Sequence, residues 1–215
     1  MELTVHTFIS LDGVMQGPGG AQEDTSNGFD RGGWLVPHSG AGQLTPIDAW
    51  FRKADAVLLG RTTFQMMRGY WPQVTDPDNA VATVLNTGQK YVVSNTLSDA
   101  DWGKTTVLRG DVVEQVHRLK EQPGGELQVH GSWRLVRTLH DAGLVDVYRL
   151  IVFPVVVGDG KRLFAPGAVP ATYRITESEA MAGGDGAVAL SLRRTGFGTT
   201  GTGEFVVRDG KEAIA

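Results

Sequence analysis

The stretch Ala56-Val57-Leu58-Leu59-Gly60-Arg61-Thr62-Thr63-Phe64 constrains this chain more than any other. Its apolar run reads as a buried strand, too short and too β-branched at its start to favour a helix. Gly60 breaks the run, Thr62 or Thr63 can cap the next segment, and Phe64-Gln65-Met66-Met67 continues as a short helix. A buried strand that passes through glycine into a helix N-terminus presents outward N–H groups and the positive end of the helix dipole, which suits an anion. Arg61 stands at that mouth with a planar fork of donors matched to phosphate. The same residues also fit an ordinary strand–helix turn with a threonine cap and a solvated arginine. The rest of the chain has to choose.

The strand–glycine–helix unit recurs. Residues 126–132 repeat it, leading into a helix over 133–142 with Leu135, Val136 and Leu139 inward and Gly143 at its end. Upstream, 3–9 alternates as a first strand, and 46–53 fits a short helix with Pro46 in its first turn. A helix over 79–86, a strand over 90–97 and a brief strand at 107–108 come next, and Asp111 caps a helix reaching Lys120. Residues 147–153 form the next strand. Beyond Pro170 the pattern is strands only, at 172–179, 187–193 and 204–208, with hairpin turns at 183–186 and 198–203. This order predicts one α/β domain over 1–215. Its mixed sheet is parallel where helices cross over and antiparallel at the C-terminal strands, with helices on both faces.

Ligands of such sheets lie beyond the carboxyl ends of the parallel strands. Three polar clusters fall there: Gly60-Arg61-Thr62-Thr63, Ser94-Asn95-Thr96 and Gly131-Ser132-Trp133. Donor-rich strand ends converging on one crevice suit a phosphate-bearing dinucleotide.

Other classes lose support. The net charge of −4, with no Lys/Arg-rich run, argues against a nucleic-acid partner. The absence of cysteine removes disulfides, thiol catalysis and cysteine metal sites, and the five histidines show no metal-ligand spacing, so no metal site is expected. Neither a signal-peptide pattern nor a membrane-length apolar run is present, so a cytoplasmic location without a membrane partner is expected. His130-Gly131-Ser132 lacks the Gly-x-Ser-x-Gly elbow of a serine hydrolase.

From Gly17 to about Thr45 runs a long segment rich in Gly, Asp, Asn and Pro that carries Phe29, Trp34 and Leu35. It reads as a lid over a ligand, or as an insertion pinned by aromatic anchors. Phe29, Trp34, Phe51, Trp71 and Phe153 are candidates to wall a pocket for a flat substrate, or to be core. Gly158, in Gly158-Asp159-Gly160, either approaches a ligand or makes a tight turn.

Leu58-Leu59-Gly60-Arg61-Thr62-Thr63-Phe64, Tyr91-Val92-Val93-Ser94, His130-Gly131-Ser132 and Phe153-Pro154-Val155-Val156-Val157-Gly158-Asp159-Gly160 resemble the dihydrofolate reductase superfamily, in the branch of the riboflavin-biosynthesis reductase domain. The resemblance covers nearly the whole chain. It implies a dihydrofolate-reductase-like fold and NADPH as cofactor. Arg61 and Thr62 would match the segment holding its phosphates, Ser94 and Asn95 the strand end beside the 2′-phosphate. Gly131 and Ser132 would match a glycine pair under the pyrophosphate and nicotinamide, with serine in the second place. The stretch from Val14 to Gly17 would match the mobile loop that covers the nicotinamide.

The implied activity is hydride transfer from NADPH to a small pterin- or pyrimidine-like heterocycle. A non-catalytic NADP(H)-binding protein of the same fold is the other class. The segment from Gly19 to Thr45 is longer than in ordinary dihydrofolate reductases, so folate itself is not implied. No deaminase domain precedes the fold, so a bifunctional riboflavin-pathway enzyme is not expected. Asp12, at the end of the first strand, and Asp48, in a segment resembling the acidic helix of dihydrofolate reductases, are the candidate catalytic acids. A homodimer is expected, both from the resemblance and from an open antiparallel edge over 187–208.

Overall fold

Each crossover helix returns the chain to the same end of the sheet, so the first six strands run parallel. The computed structural model describes residues 1–40 and 44–214. In order, the elements are β1 (Glu2–Ser10), α1 (Leu44–Phe51), β2 (Ala54–Gly60), α2 (Arg61–Tyr70), α3 (Ala80–Thr87), β3 (Gln89–Val93), β4 (Thr105–Leu108), α4 (Val112–Glu121) and β5 (Glu126–His130). They continue with α5 (Trp133–Asp141), β6 (Val147–Phe153), β7 (Ala171–Ala180), β8 (Val188–Phe197), β9 (Phe205–Arg208) and β10 (Lys211–Ile214). The main sheet runs β4-β3-β2-β5-β1-β6-β8-β7, antiparallel only where β8 meets β6 and β7.

One face of the sheet is apolar throughout its centre. Leu3, Val5, Leu58, Leu127, Val129, Tyr148 and Leu150 meet Val116 and Leu119 of α4 and Leu135, Val136 and Leu139 of α5. On the other face, Val57, Leu59 and Val92 pack under Phe51, Phe64, Val81 and Leu85 from α1, α2 and α3. Ile151 and Phe153 of β6 pack with Phe29, Trp34 and Leu35 of the long loop and Trp50 of α1.

Between those two apolar zones the second face carries a buried polar row: Thr4 and His6 on β1, Glu126, Gln128 and His130 on β5, and Arg149 on β6. Arg149 grips Glu126 with both arms of its guanidinium, at 2.7 and 2.5 Å. The Gln128 amide donates to Glu126 (2.8 Å) and to the carbonyl of Trp50 (2.7 Å). The guanidinium also lies 5.9 Å from the centre of the Trp50 ring. The ion pair and the glutamine together fix the C-terminal end of α1 over the sheet.

Three details depart from the sequence reading. The second helix starts at Arg61, directly after the strand, with Gly60 at its N-cap and no threonine capping it. Residues 204–208 do not extend the sheet: β9 pairs with β10 as a separate hairpin, which the sequence reading did not foresee. β8 lies inside the sheet, so its open antiparallel edge is β7, whose residues 174–180 are exposed, and not 187–208. No described helix is long and apolar enough to cross a membrane.

Leaving one member of a buried ion pair unpartnered costs about 3–5 kcal/mol, whereas replacing both by apolar residues can be neutral. Arg149→Met should therefore lower the urea-unfolding free energy by that amount, and Glu126→Leu combined with it should restore most of the loss. An Arg149→Met protein as stable as wild type would remove the pair from its place as the anchor of α1.

Candidate active site

Strand register creates the crevice. Leu58 of β2 pairs with Val129 of β5, so Gly60 and Gly131 stand level where those strands stop. His6 pairs with His130, yet β1 continues beyond it through Thr7, Phe8, Ile9 and Ser10, still paired with β6 as far as Phe153. At the rise of an extended strand those residues project roughly 13 Å past the end of β5. The result is a step, with β1 and β6 as its wall and the ends of β2 and β5 as its floor.

Ser132 latches that floor. Gly131 (φ 60°) and Ser132 (φ 62°, ψ 67°) both adopt the left-handed conformation, so serine takes the backbone shape expected of a second glycine. The Ser132 hydroxyl accepts the Gly60 N–H (2.8 Å) and donates to Thr63 Oγ1 (2.7 Å). A Cβ on Gly60 would lie 2.8 Å from that oxygen, which is why glycine is required there. Turned toward α2 in this way, Ser132 does not cap α5, and α2 has no side-chain cap either. Both helices therefore bring uncapped first-turn N–H groups to the crevice. By contrast, α3 and α4 are capped by Asn79 and Asp111.

The third cluster joins from β3. Arg61 donates to Thr96 Oγ1 at 2.5 Å. Ser94 Oγ accepts the N–H groups of Thr96 and Leu97, and Asn95 Oδ1 accepts that of Gly110. These two side chains are thus committed to shaping the turn rather than to facing a ligand. Arg61, Thr62, Thr96 and Arg109 are the exposed donors around it. Arg109 holds the carbonyls of Asn95 (3.0 Å) and Leu97 (2.7 Å). Sequence reasoning missed it, although it follows β4 directly, as Arg61 follows β2.

Beyond β1 the candidate acid Asp12 has another task. Its carboxylate accepts the Ser10 hydroxyl (2.7 Å), the N–H groups of Val157 (3.0 Å) and Gly158 (2.9 Å), and Arg162 (3.3 Å). Partial burial acts to raise its pKa, but the Ser10 hydroxyl and the two backbone donors outweigh it and hold the carboxyl well below the usual carboxylate range. A group so held stays ionised. Its oxygens are committed to clamping the 157–162 turn.

Residues 17–40 of the long loop are pinned rather than open over a ligand, and its residues 41–43 lie outside the described residues. Phe29 and Trp34 are buried, Trp34 donates to the carbonyl of Gln16 (2.8 Å), and its ring meets Phe153 edge-on at 5.9 Å. Phe153 is wholly buried, so these three aromatics are core rather than pocket wall. Val14 is buried and bridges to Arg162, while Gly17 packs beside Phe29. A Cβ on Gly160 would come within 2.9 Å of Phe29 and Val14. Gly158 serves the Asp12 clamp, and Trp133 donates to the carbonyl of Arg162 (2.8 Å), tying α5 to the same turn. Trp71 packs against the cluster of α2 and α3, edge-on to Tyr70. Asp48 lies half-buried on α1, one helical turn before Phe51.

Phe51 does reach the floor. Its ring stacks on His130 at 4.2 Å, His6 lies 4.8 Å from His130, and Trp50 meets His6 edge-on at 5.8 Å. Burial, then the positive charge of Arg149, depress His130 to about 3. His6 is lowered in the same direction by burial, His130, Arg149 and Lys53.

The architecture is that of known proteins. A model of the RibD C-terminal domain matches residues 2–188. The chain belongs to the RibD C-terminal domain family. Two uncharacterized Bacillus subtilis proteins are similar over most of the family region. YyaP is 29% identical over 73% of this chain and 76% of its own, and YwjB is 26% identical over 74% and 80%. A putative riboflavin biosynthesis protein from Shewanella superposes with a TM-score of 0.68 at 21% identity, covering 91% of this chain and 99% of the other. A dihydrofolate reductase from Enterococcus faecalis, in complex with NADP(H) and RAB-propyl, superposes with a TM-score of 0.57 at 14% identity over 90% and 96%. A pyrimidine reductase-like protein from Corynebacterium diphtheriae gives 0.57 at 10% over 90% and 92%. The β9–β10 hairpin lies outside the RibD C-terminal match.

The two imidazoles give a pH signature. His130 ionises near 6.5 when unfolded but only near about 3 when folded, so between those values the unfolded chain binds more protons. Its contribution is present in full above about 6.5 and is lost as pH falls toward about 3. Arg149 opposes its protonation, Arg149 and Lys53 oppose that of His6, and Glu126 is the one carboxylate in the row. Unfolding free energy measured from pH 7 to 4 should fall less steeply for His130→Gln than for wild type. Parallel curves would show that this imidazole is not held neutral.

Proposed function

We propose that the chain is an NADPH-dependent reductase of a small heterocyclic substrate. The observation that carries this reading is the pair of uncapped helix N-termini, α2 and α5, latched together by Ser132 beside Arg61. Phosphates fit such a place because N–H groups and helix dipoles favour negative charge there, and a guanidinium adds paired donors. The residues present match the group: Gly60, Arg61, Thr62 and Thr63 would hold the phosphates at the head of α2. Gly131 and Ser132 give a bare backbone on which a flat ring can lie. Arg61 and Arg109, flanking the 94–97 turn, would read the 2′-phosphate. Membership of the RibD C-terminal domain family supports the same reading.

Bound NADPH would supply a hydride, so the protein has to bind, orient and exclude water. The wall of β1 and the rings of α1 confine a flat substrate against the floor. With Asp12 committed to its clamp, Asp48 on α1 is the carboxyl proposed to assist protonation.

NADPH should bind at least about tenfold more tightly than NADH, the return on one charge-assisted contact that only the 2′-phosphate can make. Arg109→Ala should weaken NADPH by about tenfold and leave NADH nearly unchanged, whereas Arg61→Ala should weaken both cofactors, NADPH by more. Calorimetry giving equal affinities for the two cofactors would sink the assignment.

Sustained NADPH oxidation with a panel of pterins and pyrimidines is the activity test; tight binding with no turnover across the panel would favour a non-catalytic binder. With a substrate found, Asp48→Asn should lower kcat and spare NADPH affinity, while Asp12→Asn should act mainly on stability through the 157–162 turn. Normal turnover by Asp48→Asn across pH would leave solvent as the proton source.

A further inference from the structure

His130 is the last residue of β5, directly before the Gly131-Ser132 turn, and so stands at the inner end of the crevice. Its hydrogen-bond polarity is set by its neighbours. Gln128 Nε2 lies 2.7 Å from the Trp50 carbonyl and 2.8 Å from Glu126 Oε2, both acceptors, so the NH₂ group of the amide must face them. Gln128 Oε1 is left to face His130 Nε2, at 3.2 Å. An amide oxygen only accepts, so the proton of the neutral imidazole sits on Nε2 and Nδ1 carries a lone pair.

That lone pair has no partner among the described residues, although His130 is 93% buried by its 7% exposure. Nor is it sealed away. Arg149 Nε is the one side-chain nitrogen or oxygen among the described residues that is both enclosed and unpartnered. Nδ1 therefore meets the small opening left to the ring, with Phe51 stacked on the ring face and His6 beside it. A fixed acceptor on a ring stacked against Phe51 matches one kind of ligand atom.

We propose that His130 Nδ1 is the substrate-recognition acceptor of this site, selecting a flat heterocycle that presents a ring N–H or an exocyclic amine. The assignment rests on the reductase reading and deepens it. Glu126, Gln128 and Arg149 act as positioning residues, because the chain of hydrogen bonds from Glu126 through Gln128 sets which nitrogen of His130 is bare. Replacing Gln128 by Glu would remove the NH₂ donors and the reason for that choice.

The test is ¹⁵N long-range correlation spectroscopy of the imidazoles in the full chain. In the free protein His130 should appear as the Nε2–H form; an Nδ1–H form overturns the proposal at once. The protein is then titrated with NADP⁺, followed by pterin, 2,4-diaminopyrimidine and 5-aminouracil in turn. At least one should move the Nδ1 resonance in the direction of hydrogen-bond acceptance and leave Nε2 in place. His130→Leu, which keeps an apolar side chain under Phe51, should weaken that probe by up to about tenfold and leave NADP⁺ affinity unchanged. If no probe moves Nδ1 although NADP⁺ shifts the backbone at Arg61, the proposal is wrong and the reductase reading stands. If NADP⁺ shifts nothing, the reductase reading fails, and the tautomer and probe results on the free protein still decide the role of His130. The spectroscopic arms use wild type, so a misfolded variant does not remove them.

Discussion

The stagger between β5 and β1 is the constraint on which the site depends. β5 stops at His130 opposite His6, and β1 runs on to Ser10 beside β6. A sheet whose strands all ended level would offer a flat edge; this one offers a floor with a wall beside it. The floor has to be made of glycine and a small hydroxyl residue, because Gly60 and Ser132 approach too closely for anything larger. Ser132 accepts a left-handed backbone to make that contact, a strained choice for a residue with a Cβ. The strain is offset by two hydrogen bonds that lock the heads of α2 and α5 to each other.

Charge is distributed to match. Cationic side chains stand exposed around the mouth, at Arg61 and Arg109, where a bound phosphate would keep part of its hydration. The interior below holds the Arg149–Glu126 pair and two imidazoles whose surroundings keep them neutral. Such a buried row contributes less to stability than apolar packing could, since desolvation opposes the pairing. It confers direction instead, because every donor in the Glu126–Gln128–His130 chain has one acceptor and each bond fixes the next.

Much of this was legible in the sequence, for reasons that differ by region. The strand–glycine–helix units at Gly60 and Gly131 announce themselves because periodicity changes abruptly at a residue that tolerates any backbone shape. Those positions and the polar cluster at 94–96 do meet at one end of the sheet. What the side chains do there was not legible. Ser94, Asn95 and Asp12 are residue types that serve turns as readily as ligands, and in all three cases backbone N–H groups, distant in sequence for Asp12, take their acceptors. Phe29 and Trp34 sit in a glycine-rich segment, and only the tertiary fold reveals that Phe153 waits beneath them. Lys90 gives no hint in the strand pattern that its ammonium is buried, donating to the carbonyls of Leu85 (2.7 Å) and Gly88 (2.9 Å). The β9–β10 hairpin escaped because its short strands pair only with each other.

The central claim is that one crevice, floored by Gly60, Gly131 and Ser132 and flanked by Arg61, receives a dinucleotide phosphate. Amide hydrogen exchange of the full chain with and without saturating NADPH addresses it directly. The account predicts slower exchange concentrated at residues 60–63, 94–97 and 131–134, where N–H groups and the turn beside them would be covered. Unchanged exchange in those three segments would contradict it.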